Sequence, residues 1–311
     1  MILNWGSNNK NNSEQNETKD YSQYTRDQLL DSFKSDNWAN MKEADKIGVI
    51  QELENRNAAE QGREPAEVVS SSKVTSYGSY NSTTNQMNIN VNNFSSYETL
   101  DTFAHESNHA YQMYCVNNGI GYDEYTRNMM EVETARDQNG NLYNYAGTSP
   151  QYDMQCNELD SNNKAASFVI GEKERYSDDQ AFKDYVAERD SHFKDVNTVL
   201  DNYQGMRTSM QNDQAYTAYV RGDISEDMYN NLSDNINDPN HEDPTVTESH
   251  SIGDSISALN EELNMDINEN NEIVNDAVEE NTVGVDNGSN SDEIDVSGNN
   301  SNDDDNSISI S

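Results

Sequence analysis

Apolar residues recur along this chain at two spacings, and the change between them divides it. Between residues 25 and 61 they fall three or four apart: Leu29, Leu30 and Phe33 share one helical face, and Ile47, Ile50 and Leu53 share another. Thr25 stands at the start of the first helix, Asn40 and Glu43 have the form of a capping box for the second, and Gly62 with Pro65 ends it. From Val68 to Val91 the period drops to two. Val74, Ser76, Gly78 and Tyr80, then Met87, Ile89 and Val91 between Asn88 and Asn90, predict a β-hairpin that turns in residues 81–85. The helical period then returns. Ser95 and Glu98 form a capping box, and Leu100, Phe103, Ala104, Ser107, Tyr111 and Tyr114 mark a core-facing stripe that ends at Gly119 and Gly121. Further helices are predicted from about Asp123 to Arg136, from Pro150 at a first helical position to Ile170, from a cap at Ser177 to Tyr203, and as a last pair joined around Arg221 to Ser225.

Charge changes this picture at one end. The 311 residues hold 58 Asp and Glu against 19 Lys and Arg, a formal charge of −39, and only 32% are hydrophobic. No Lys or Arg follows Arg221, while 24 acidic residues do, with Tyr229 the one Phe, Trp or Tyr among them. Such a segment has little to bury against an ordering entropy of roughly 1–2 kcal/mol per residue, so residues 235–311 are expected to form a disordered acidic tail. The weak stripe Ile256, Leu259, Leu263, Ile267 is expected to form a transient helix at most. Residues 1–20 read as a polar, disordered leader. The folded part is then one domain, residues 21–234: N-terminal helices in 21–66, a core in 67–170 and C-terminal helices in 171–234. The expected class is α+β, mostly helical, with a small hairpin or sheet before the helix that opens at Ser95.

The same charge repels phosphate backbones and anionic lipid, so neither nucleic acid nor membrane is an expected partner. No stretch reaches the roughly 20 apolar residues of a membrane span. The N-terminus lacks the basic start and apolar core of a secretory signal, which points to the cytoplasm or to export by a route without one. Cys115 and Cys156 make no disulfide framework and read as small core residues. Arg221, Gly222 and Asp223 read as a turn between helices, and no 12-residue oxygen-ligand loop indicates calcium.

The chemistry concentrates in AHESNHAYQ. His105 and His109 lie one turn apart, so both imidazoles can meet one ion, and Glu106 between them is placed to act as general base on a zinc-bound water. With five histidines in the chain, this pattern would arise by chance on the order of 0.01 times. A catalytic zinc takes three protein ligands, and the third must come from elsewhere. In YDMQCNELDSNNKAASF, Glu158 is the first candidate, with Asp160 and Glu133 behind it.

Here the chain resembles the zincin metallopeptidases of gluzincin type, whose third ligand is a glutamate in an Asn-Glu-x-x-Ser-Asp pattern; Asn157, Glu158, Leu159, Asp160, Ser161 and Asn162 stand in those places. Asn162 replaces the aspartate that orients the first histidine, though its amide oxygen could accept the same bond. The segment is also similar to small bacterial metallopeptidase-like proteins, through Tyr152, Gln155, Glu158 and Asp160. The resemblance covers about residues 75–170. It implies Zn²⁺ held by His105, His109 and Glu158, Glu106 as base, and hydrolysis of peptide bonds in extended or unstructured protein; a monomer is expected. It implies a second oxyanion donor as well: Tyr152 first, then His192, whose ordinary fate beside Asp190 and Asp195 is an exposed helix position, with Tyr143 and Tyr145 also available. Substrate is expected to pair along Gln86 to Val91 as an added strand. A catalytically inactive zincin-fold interaction protein, or an exported effector or toxin peptidase, are the competing readings.

Overall fold

The computed structural model describes residues 19–71, 77–144 and 150–282, with side chains through residue 265. Three helices open it, two short and one long: α1 (Arg26–Asp31), α2 (Ser35–Ala39) and α3 (Glu43–Gln61). Thr25 caps α1 in a full capping box with Gln28. At α3 the expected box is not formed. Lys42 is the N-cap, without a side-chain cap, and Glu43 instead accepts from Asn92. Gly62, at φ 72°, closes α3 in the left-handed conformation that glycine adopts without strain.

The sheet follows: β1 (Glu67–Ser70), β2 (Gly78–Asn81) and β3 (Gln86–Ile89), in the order β1-β3-β2. β2 and β3 make the expected hairpin, paired antiparallel with Gly78 opposite Ile89, whereas Val74 and Ser76 lie outside the described residues. β1 pairs parallel with β3, Glu67 opposite Gln86. That pairing corrects one expectation. β3, within the Gln86 to Val91 segment assigned to substrate, has a neighbour on both sides and no free edge. The edge on that flank belongs to β2.

Then come α4 (Ser96–Asn118), α5 (Glu124–Glu133), α6 (Cys156–Ile170), α7 (Lys173–Tyr176), α8 (Gln180–Asn202), α9 (Gln204–Arg221), α10 (Glu226–Asn237) and α11 (Pro244–Thr282). Ser95 and Glu98 cap α4 as expected. α6 begins six residues after Pro150, because Glu133 holds the amides of Cys156 and Asn157 and so fixes the first turn there. Asp179, rather than Ser177, caps α8, and the same carboxylate holds Ser35 and Tyr97. The main core joins α1–α3, the sheet, α4, α6 and α8 through Leu30, Phe33, Met87, Phe103, Phe182 and Phe193.

The disordered tail expected from residue 235 is corrected over residues 235–265. Ile256, Leu259 and Leu263 are buried in that main core, and a Cβ at Gly253 would lie 2.7 Å from Asn197 of α8, so α11 packs closely there. Acids in α11 and just before it find bases in the preceding part: Lys164 bonds Glu248 at 2.6 Å, Lys173 bonds Glu262 at 2.9 Å, and buried Arg207 bonds Asp243 at 2.7 Å. Composition counted the repulsion within the tail and missed this pairing across the fold. The chain divides into two compact units, Met1–Met265 and Asp266–Ser311. In the second, residues 266–282 are helical; the side chain of Ile267, residues 283–311 and leader residues 1–18 lie outside the described residues. Among the described residues no helix is long and apolar enough to cross a membrane.

Candidate metal centre

The motif sits mid-helix in α4, where one turn brings the two imidazoles together: His105 Nε2 and His109 Nε2 are 3.0 Å apart. α6 packs along α4 and delivers Glu158 from its first turn. Glu158 Oε2 lies 3.3 Å from His105 Nε2, and Oε1 lies 3.4 Å from His109 Nε2. A small tetrahedral ion held at about 2.0–2.1 Å would set its donors roughly 3.3 Å apart, so this donor set has the right chemistry and nearly the right spacing. Among the described residues, His105, His109 and Glu158 are the group of His, Cys, Asp and Glu side chains that could hold a metal ion.

Electrostatics couple His109 and Glu158 closely. Burial disfavours the charged forms of both partners. Against it, Glu158 raises the pKa of His109 to about 9, and the two histidines hold Glu158 well below the usual carboxylate range. Glu106, one residue beyond His105, is buried and accepts the backbone N–H of Tyr80. Burial raises its pKa, although His105 and His109 oppose that. The carboxylate is therefore a stronger base than an exposed glutamate.

Around the ligands lies a hydrogen-bonded frame that the sequence reading did not assemble. His109 Nδ1 lies 2.9 Å from Gln112 Oε1 and 3.2 Å from Ser161 Oγ. Gln112 Nε2 reaches Asp160 Oδ2 at 2.7 Å and the Asn157 carbonyl at 2.8 Å, and Asn108 and Tyr122 donate to the same Asp160 oxygen. Asp160 is thus the anchor of His109's neighbours, not an alternative ligand. Glu133 is not a ligand either: it is fully buried at the N-terminus of α6, with Oε1 and Oε2 each 2.9 Å from a backbone nitrogen, Cys156 and Asn157. Gln112 was legible as the residue one turn beyond His109 on the same helix. Glu133 carried no local signal.

Asn162 lines a cavity with His105, but no hydrogen bond joins the two side chains among the described contacts; the orienting bonds go to His109 instead. Two cavities open on the centre. Tyr152 lines both, as do His105, Glu106 and Gly78, while His192 lines the larger. His192 is half-buried, and burial with nearby Arg189 lowers its pKa, which keeps the imidazole neutral at pH 7. Tyr143 is directed elsewhere: its hydroxyl bonds Asp223 and Arg221 lies over its ring, at the turn predicted for residues 221–223. Tyr145 lies outside the described residues. Cys115 and Cys156 are buried, free thiols outside the metal group.

β2 forms the border of the centre. Asn90 N donates to Tyr77 O, so by antiparallel alternation Ser79 and Asn81 face β3 while Gly78 and Tyr80 turn their backbone groups to the other edge, which pairs with no strand among the described residues. A Cβ at Gly78 would stand 2.6 Å from Thr102 Cγ2 and 3.3 Å from Glu106 Cγ. The strand can lie this close to α4 because residue 78 has no side chain. No protein-family model, curated protein or solved structure matches the chain.

Proposed function

We propose that this chain is a zinc-dependent metallopeptidase of zincin-like type. The observation that carries the reading is the convergence of His105, His109 and Glu158, with buried Glu106 beside them and the free edge of β2 alongside. His105, His109 and Glu158 would hold Zn²⁺, which when bound supplies Lewis-acid polarisation of a carbonyl and acidification of water. The work of the chain's own residues follows from their placement. Gly78 and the Tyr80 carbonyl offer main-chain bonds to an extended substrate, which favours unstructured peptide over folded protein. Glu106 removes the proton from the attacking water and returns it to the leaving amine. Its raised pKa suits both halves of that task. Tyr152, on the wall shared by both cavities, is the favoured donor to the oxyanion, and neutral His192 stands second. Gln112, Asp160 and Ser161 hold the His109 ring, and Glu133 holds the turn that carries Glu158.

The test is proteolysis of an unfolded protein substrate by the zinc-loaded chain and its Glu106→Gln variant. The wild type should cleave it, and cleavage should fall by on the order of a hundredfold or more in the variant. Equal cleavage by both would remove Glu106 from its role. No cleavage by the zinc-loaded wild type would favour the non-catalytic interaction protein.

A further inference from the structure

The two cavities that meet at Glu106 differ in charge. The larger, about 390 Å³, carries Glu98, Asp101, Asp153 and Glu188 on its walls besides Glu106, against one guanidinium, Arg189. That guanidinium lies 3.6 Å from Asp101, which also accepts from Tyr185, so these two charges offset each other; the excess negative charge on the wall is that of Glu98, which also accepts the Ser95 amide, with Asp153 and Glu188. The smaller, about 260 Å³, has no carboxylate beyond Glu106 and Glu158 and is lined by Arg136, with Ser82 and Thr134 nearby. Arg136 donates to Gly140 O at 2.7 Å and Ser82 Oγ at 3.3 Å, and it forms no ion pair among the described residues. Arg26 and Arg127 also form no ion pair among the described residues, but of these three arginines Arg136 is the one that lines a cavity at the centre. Neither the carboxylates nor the arginine alone would define a site. Both lie on walls that open on the same Glu106 and Tyr152, along the same free strand.

We propose that the cleft sorts its substrate by charge: the Arg136 cavity takes an acidic side chain and the Glu98–Glu188 cavity takes a basic one, on opposite sides of the bond to be cut. The inference rests on the peptidase reading and names its substrate class. β2 also sets the direction. It runs from Tyr77 and Gly78, in the larger cavity, to Tyr80 and Ser82, in the smaller. A strand added antiparallel to it runs the other way, so its N-terminal half lies by Arg136 and its C-terminal half by the carboxylates. The preferred peptide has Glu or Asp before the scissile bond and Lys or Arg after it.

The experiment uses the full zinc-loaded chain and three blocked peptides with the same central Ala-Ala pair: Glu-Glu before and Lys-Lys after it, the reverse order, and Gln at all four positions. Mass spectrometry of the products reads rate and position. A matched charge on one side against a like charge on the other should separate the two charged peptides on the order of tenfold, with the Glu-first peptide the better. Arg136→Gln and Glu188→Gln should each shrink that ratio, and the double variant should shrink it further than either alone. Cleavage of the neutral peptide with no preference, or with preference for the Lys-first order, overturns the charge sorting and leaves the peptidase reading standing. No cleavage of any of the three overturns both.

Discussion

At the scale of single residues, protonation is the sharpest handle. His109 has an ordinary pKa of 6.5 and is raised to about 9 in the metal-free fold, chiefly because Glu158 offsets the effect of burial. A raised folded-state pKa stabilises the fold fully below the unfolded value and loses that contribution as pH climbs through the folded one. Metal-free protein should therefore lose stability between pH 6.5 and about 9, as followed by denaturant midpoint, and Glu158→Gln should flatten that slope. Metal needs the unprotonated ring, so apparent metal affinity should rise over the same window. Unchanged affinity across it would contradict the charge coupling. These residues were legible to different degrees. His105, Glu106 and His109 declare themselves by spacing, and Glu158 by its neighbours in sequence. Asp160 and Glu133 were candidate ligands only because they are acidic; their true partners, Gln112 and Tyr122 for one and two backbone amides for the other, come from distant elements that no local pattern connects.

At the scale of elements, two contacts set the geometry of the cleft. Glu133, at the end of α5, supplies both acceptors for the first amides of α6. Glu133→Ala would strand two buried N–H groups and should cost about 3 kcal/mol, a fall in Tm of roughly 10 °C, together with weaker metal binding. A variant with full metal affinity would show that α6 needs no such cap to place Glu158. The other contact is the approach of β2 to α4 at Gly78. In Gly78→Ala the new methyl meets Thr102 Cγ2 and displaces the strand from Glu106. Cleavage should fall, on the order of a hundredfold for a shift near 1 Å, while metal content stays intact. Adding Thr102→Ser should restore part of the loss, which a general folding defect would not allow. The hairpin and the main helices were legible because their periods are strong. β1 was not: with four residues and one parallel neighbour, it owes its place to β3 rather than to any pattern of its own.

At the scale of the whole molecule, the acidic C-terminal region is partly structural. Ending the chain at residue 234 removes Ile256, Leu259 and Leu263 from the core and leaves Arg207 buried without Asp243. At about 1.5–3 kcal/mol for each buried side chain, that loss rivals the roughly 5–15 kcal/mol that holds a domain together. A chain ending at 234 should be unfolded by circular dichroism, and one ending at 265, the limit of the first compact unit, should melt cooperatively. Two equally cooperative fragments would restore the boundary that composition suggested. Composition failed here because it sums charge along a segment, whereas three apolar residues in register and a few distant bases decide whether the segment docks. The most direct measurement is the zinc content of the full chain after repletion and dialysis, beside Glu106→Gln and Glu158→Ala. The arrangement of His105, His109 and Glu158 predicts one zinc per chain in the wild type and in Glu106→Gln, and loss in Glu158→Ala. No retained zinc in the wild type, or equal zinc in Glu158→Ala, would contradict it.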